Sequence, residues 1–182
     1  MYSANADTQY PECALMGLML PEVPGSADWT YKQLSGVSAD ALTTTEATNL
    51  HTKNYTTYES VGGVSATVGG DMVGGEKIDV MIGVDWTEAR MRENIWFRMV
   101  NAKKVPYTAA GATIIETEIR RVLSEGIRNG LFADTPAPVV IMPAVLSQDA
   151  NDRAARIYRG ITFEARLAGS LRFIKIRGIV SI

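Results

Sequence analysis

Few side chains in this chain are of a type and spacing that could do covalent chemistry. His51 is the sole histidine and Cys13 the sole cysteine. Any Ser-His-Asp relay would turn on His51 alone, and a zinc site of the usual His/Cys kind lacks ligands. Asp149, Asp152 and Glu164 could pair for acid/base work as carboxylates on an acidic loop can. The plainer reading is that Asp149 or Asp152 caps a short helix with Arg153 and Arg156 toward its end. The stretch VGGVSATVGGDMVGGEKID suggests a phosphate cradle, yet no Gly-Lys-Ser/Thr follows the glycines and no G-x-G-x-x-G is present. Glycine pairs at 62–63, 69–70 and 74–75 instead read as turns between short hairpin strands, because glycine reaches the positive φ that tight turns require. Arg120, Arg121, Arg128, Arg153, Arg156, Arg159 and Arg166 could neutralise phosphates, but no aromatics interleave with them and the pI is about 5.5. The reading is of a protein that is not an enzyme, with no cofactor, metal or nucleic-acid partner.

The elements that carry these residues follow from periodicity. Pro11 to Leu20 has the composition of a buried helix, and Trp29 to Val37 reads as a short strand or extended link. Thr43 to Lys53 is a helix capped by Thr43 or Thr44, followed by an irregular strand through Tyr55, Tyr58 and Val61. Ile78, Val80, Ile82 and Val84 alternate with Asp79, Met81 and Gly83, which predicts a largely buried strand. Asp85 with Glu88 then forms an Asp version of the capping box, opening a helix over 85–101 whose apolar side is Trp86, Ala89, Ile95, Trp96, Met99 and Val100. A second long helix spans 109–128, with Ile115, Ile119, Val122 and Ile127 on one side and Asn129-Gly130 as its stop. Val139-Val140-Ile141, enclosed by Pro136 and Pro143, is a strand near an edge.

Length and composition bound the rest. A chain of 182 residues with 46% hydrophobic and 21% charged side chains can bury roughly 70% of its unfolded surface in one core without staples. The expectation is a single domain over 1–182 of the α+β kind: a small mixed or antiparallel sheet against two long helices, with Gly-rich hairpins and a C-terminal β-hairpin. No apolar run reaches a membrane span and no signal-peptide pattern opens the chain, so a cytosolic origin and no membrane insertion are expected. Net charge is −2, yet residues 1–83 carry −7, residues 84–118 are neutral and residues 119–182 carry +5. Such polarity could draw one copy head to tail onto another, the heterologous contact that builds rings and helices. The alternative is solvated faces on one folded domain.

GVDW at 83–86, an arginine-bearing helix, a short basic loop, PYT-x-x-G at Pro106 to Gly111 and a second long helix follow one another. Together they resemble the C-terminal part of contractile-tail sheath proteins of phages. LTTTEATNLHTKNYTTYESVGGVSATVGG upstream, and DRAAR with ITFEARLAGSLRFIKIRGIVSI at the end, are similar to further parts of that family. The resemblance implies a structural subunit that polymerises with copies of itself around a tail tube protein. The host cytoplasm would be the place of assembly and the virion tail the destination. It implies terminal arms that join a neighbour's sheet, and a slide to a wider, shorter tube while those links hold. It also implies tube contact through a helix near the C-terminus, here Asp149, Asp152, Arg153 and Arg156. Typical members are much longer, so this chain is expected to be a fragment or a shortened reading frame. Another tail or baseplate component is the alternative within structural proteins, and a small enzyme with a Gly-rich ligand loop the alternative outside them.

The terminal segment is the main candidate for function. In LRFIKIRGIVSI, Ile174, Ile176, Val180 and Ile182 share one face and Phe173, Lys175, Arg177 and Ile179 the other, the pattern of a strand. Ala168-Gly169-Ser170 could fold it back on Arg159 to Leu167, completing the chain's own sheet. Alternatively Leu171, Phe173, Ile174, Lys175, Ile176, Arg177, Ile179 and Val180 form a subunit interface by strand addition, ladder bonds giving affinity and alternate side chains giving register.

Overall fold

A computed structural model describes residues 1–179. It divides into two compact units, the first built from Met1–Pro21, Asp28–Lys77 and 169–179, the second from Glu22–Ala27 and Ile78–Ala168. Their mixed helix and strand content is the α+β class that the sequence predicts.

In the first unit, α1 (Ala6–Gln9) and α2 (Pro11–Met19) are separated by Tyr10 at φ 48. Pro11 occupies the first turn of α2, where its missing N–H leaves no orphan donor. α3 (Thr44–Thr52) opens with a full capping box: Thr43 Oγ1 accepts from the Glu46 amide at 3.3 Å and Glu46 Oε2 accepts from the Thr43 amide at 2.9 Å. β1 (Thr57–Val61) and β2 (Val64–Val68) form an antiparallel hairpin with Val61 opposite Val64. Gly62 and Gly63 between them sit at φ 60 and 82, as a two-residue hairpin loop with both central residues at positive φ demands. The link that begins at Trp29 bends, with Tyr31 at φ 60, rather than starting extended, and it docks on β2, the Tyr31 amide donating to the Thr67 carbonyl at 2.7 Å and the Thr67 amide to the Lys32 carbonyl at 2.9 Å. Thr57 and Thr67 are fully buried, and the Tyr58 hydroxyl bonds the Leu34 backbone.

In the second unit, α4 (Ile78–Asn101) and α5 (Ala109–Arg128) are the long helices, followed by β3 (Val139–Ile141), a 3-10 turn (Val145–Ser147), α6 (Ala150–Ala154) and β4 (Thr162–Glu164). Ile119, Leu123, Leu131, Phe132 and Val140 make the core, with Trp86, Met91, Ile95, Ile115 and Ile127 packed against it. Thr108 caps α5, and the motif that begins at Pro106 acquires a packing reason: a Cβ on Gly111 would overlap the Pro106 carbonyl oxygen. Gly83 and Gly126 likewise let Leu131 and Phe132 approach their helices closely.

Two expectations are corrected. Residues 78–84 are not a strand capped at Asp85 but the first two turns of α4. A short apolar run fits both periods, and Ile78, Met81 and Ile82 also recur at i, i+3 and i+4. Helix–core packing decides, with Gly83 against Leu131 and the Thr87 hydroxyl bonded to the Gly83 carbonyl at 2.7 Å. Glu88 therefore has no cap to reach and pairs with Arg92 at 2.5 Å. Nor do residues 159–167 fold against 171–179. β4 pairs antiparallel with β3, Val140 opposite Phe163, and the same strand direction continues in the Phe132–Leu167 bridge. That leaves 171–179 without a ladder partner among the described residues.

Candidate functional site

The residues singled out for catalysis do not assemble a reactive centre. His51 Nε2 lies 2.9 Å from Thr57 Oγ1 and 3.2 Å from Glu59 Oε1, so one ring nitrogen meets both partners. A relay needs the base and the orienting carboxylate on opposite ring nitrogens. Thr57 is fully buried, and the cluster serves to staple α3 to β1. Cys13 is exposed on α2. No group of three His, Cys, Asp or Glu side chains able to hold a metal occurs among the described residues. Tyr158 has its phenol pushed up by burial, then by Tyr107 and Glu116, and its hydroxyl donates to the Pro143 carbonyl. The Arg90 guanidinium is held protonated by its bonds to Glu125. Both are structural ties. Among the described residues no helix is long and apolar enough to cross a membrane.

Around α6 each carboxylate has a local task. Asp149 caps the helix by accepting from the Asn151 amide at 2.8 Å, and Asp152 pairs with Arg159 at 2.9 Å. Arg153 donates to the Leu146 carbonyl at 3.0 Å, and Arg156 follows the helix at φ 60 with its side chain exposed. Glu164 lies on β4, exposed and apart from that turn in the chain.

Exposed apolar surface is where the molecule is unusual. Leu171, Phe173, Ile174, Ile176 and Ile179 are 75–92% exposed, and Lys175 and Arg177 are exposed between them. Val180, the last interface candidate, lies outside the described residues. Such a run of unpaired strand-forming residues is what edge pairing captures. Its root is Arg172, which sequence reasoning passed over. The guanidinium is 10% exposed and bonds Asp28 through both forks, at 2.8 and 2.6 Å, with Asp71 Oδ1 and the Gly69 carbonyl each at 3.1 Å. The Tyr31 hydroxyl closes on the Arg172 carbonyl at 2.6 Å.

The second unit presents a complementary feature. Val84, Thr87, Met91, Ile95, Trp96 and Met99 form one stripe of α4 along an apolar groove of about 840 Å³. Phe132, Phe163, Ala165 and Leu167 line its other side. Residues 163, 165 and 167 alternate, so one face of the β4 segment is turned into the groove. That segment is paired on the side of β3 and Phe132, and its other edge carries no ladder among the described residues. Trp96, Phe97, Met99 and Val100, of which Trp96, Met99 and Val100 are expected on the packed side of the helix, are 52–68% exposed.

Comparison with known proteins follows the same division. Residues 78–136 match the family model described as "E217 tail sheath protein gp31-like, C-terminal domain". No curated protein matches the chain. Among solved structures, a chain in the cryo-EM structure of the anti-feeding prophage (AFP) baseplate, 6-fold symmetrised, superposes with a TM-score of 0.70 at 16% identity. The superposition covers 92% of this chain and 48% of that one, so the present chain spans about half the length of its structural neighbour. The second unit's two long helices are thus similar in sequence to a tail sheath C-terminal domain, and the fold as a whole is shared with a chain of a prophage baseplate assembly.

Proposed function

We propose that this chain is a structural subunit of a phage-type contractile tail, a sheath building block that joins copies of itself by donating its C-terminal strand. The carrying observation is an exposed alternating segment, residues 171–179, on a chain that also bears an unfilled apolar groove beside an open strand edge. The family match over 78–136 and the baseplate-chain fold support a tail role. In this reading Ile174 and Ile176, on one face of the strand, enter the α4 groove of the next copy, while Phe173, Lys175, Arg177 and Ile179 lie on the opposite face.

Magnitudes favour an assembly that needs many such links. Full burial of each large apolar side chain contributes about 1.5–3 kcal/mol, while ordering each residue of the strand costs about 1–2 kcal/mol. One link is therefore modest, and repetition around a ring or helix supplies the avidity. Sliding of linked copies during contraction would be driven by new contacts between them, with no bond made or broken. Asp149, Asp152, Arg153 and Arg156 around α6 are the proposed tube-facing positions, with Arg156 the most available for contact. The protein would act in the virion tail, with a tube protein as its other partner.

A baseplate component is the second reading, favoured by the baseplate assembly to which the structural neighbour belongs. Negative-stain microscopy of concentrated protein separates the two: a sheath subunit gives open tubes, a baseplate component closed rings. A version ending at Ser170 should give neither. Monomers from both versions at every concentration would remove the assembly reading.

A further inference from the structure

We infer that the Asp28–Arg172–Asp71 clasp is an exit post for the C-terminal segment, fixing where and in which direction residues 173–179 leave the first unit for capture by a second copy. The inference rests on the strand-donation reading and adds to it the device that presents the strand.

The geometry separates Arg172 from everything around it. Its neighbours Leu171 and Phe173 are 87% and 85% exposed, whereas the Arg172 side chain is 10% exposed. Five contacts converge on this single residue: the two-pronged bond to Asp28, the bonds to Asp71 and the Gly69 carbonyl, and the Tyr31 hydroxyl on its own carbonyl. A planar guanidinium fork suits this seat, since a lysine would offer a point charge to acceptors set in two directions. The seat is itself built by the hairpin's end. Gly69 and Gly70 stand at φ 122 and 89, and a Cβ on Gly70 would come within 2.7 Å of Thr30 Oγ1 and 3.3 Å of the Arg172 guanidinium. Lys77 donates to the same Asp71 Oδ1 at 2.5 Å. The Gly69-Gly70 pair thus works as a backbone cradle, for an arginine of the same chain.

Anchoring matters because a strand that is fixed at its root loses less freedom on capture than a free tail does. It also sets register, since pairing shifted by one residue would turn the other face of the segment into the groove.

Limited trypsinolysis reads the clasp without relying on assembly. In the full chain, cleavage after Arg172 should be about tenfold slower than cleavage after Lys175 or Arg177, because the first bond opens only when the clasp does. Equal rates in the unsubstituted protein would overturn the inference, with no variant needed. In Asp28→Asn/Asp71→Asn the three rates should converge, and the variant should need about tenfold more protein to self-associate, a loss of presentation rather than of contacts. A variant that frees Arg172 yet assembles at the original concentration would show that the clasp does not present the strand. If the unsubstituted chain never self-associates, strand donation fails, and the cleavage order still decides whether the clasp exists.

Discussion

α4 and α5 are neighbours of similar length, joined by one short basic loop, yet they treat their apolar residues in opposite ways. α5 buries its own: Ile119, Val122 and Leu123 are between 0 and 4% exposed. α4 hides Gly83, Thr87 and Asn94, while Trp96, Phe97, Met99 and Val100 stand in solvent. A helix that packs Trp86, Met91 and Ile95 beside Gly83, Thr87 and Asn94, yet leaves four large apolar side chains exposed near its C-terminal end, is shaped for contact on two sides. Its inward face needs close approach, as Gly83 provides for Leu131. Of its exposed side, Trp96 and Met99 line the groove in which the proposed strand of another copy would sit.

Breaking the core helix should give the largest effect. Leu123→Ala removes a fully packed side chain and should cost about 2–5 kcal/mol in denaturant unfolding. Next comes Gly111→Ala. Its Cβ would meet the rigid Pro106 carbonyl, so the gain in helix propensity is outweighed and stability should fall by about 1–3 kcal/mol. On the other helix, Trp96→Ser/Met99→Ser should leave stability within about 0.5 kcal/mol per site. Self-association by sedimentation should nonetheless weaken by about tenfold or more, as loss of interface anchors does. A large loss of stability from that pair would mean that α4 is an ordinary core helix.

The smallest effect belongs to the α3 cap. Its Glu46 carboxyl is held below the ordinary 4.5, first by the Thr43 amide and then by the Thr43 hydroxyl. A folded-state value below the unfolded one means that the cap's contribution is present above pH 4.5 and lost as pH falls through the lowered value. Thermal melts should therefore show Glu46→Gln below the unsubstituted protein at pH 7, with the gap closing in acid.

What the sequence disclosed depended on whether a pattern was local. α5, the Val139–Ile141 strand, the Thr43 cap and the Gly62-Gly63 turn all rest on residues within one or two turns of each other, and were legible. The start of α4 was not, because a seven-residue run of mostly apolar side chains, with one aspartate and one glycine, satisfies both a strand and a helix period. Contact between Gly83 and Leu131, remote in sequence, selects the helix. The clasp lay further still from view: Arg172 and Asp28 are 144 positions apart. Its one local trace is an arginine in phase with Ile174 and Ile176 on a strand face, which reads as a solvated charge until the carboxylates are placed. The terminal segment carries the alternation of a strand, yet residues 171–179 form no ladder among the described residues, since alternation specifies two faces and never which edge receives them. β4 took β3 instead.

The central claim is that the terminal strand of one copy lies in the α4 groove of another. Two variants in a Cys13→Ser background test it directly, one bearing Ile176→Cys and the other a cysteine in turn at Phe163, Ala165 or Leu167, mixed and oxidised gently. Cross-linking demands close approach of the paired Cα atoms, about 4.4–6.8 Å. The account predicts mixed disulfide dimers containing one copy of each variant for at least one groove position, and none when Asp134→Cys replaces the groove cysteine. Mixed dimers absent at all three groove positions, in protein that still self-associates, would contradict it.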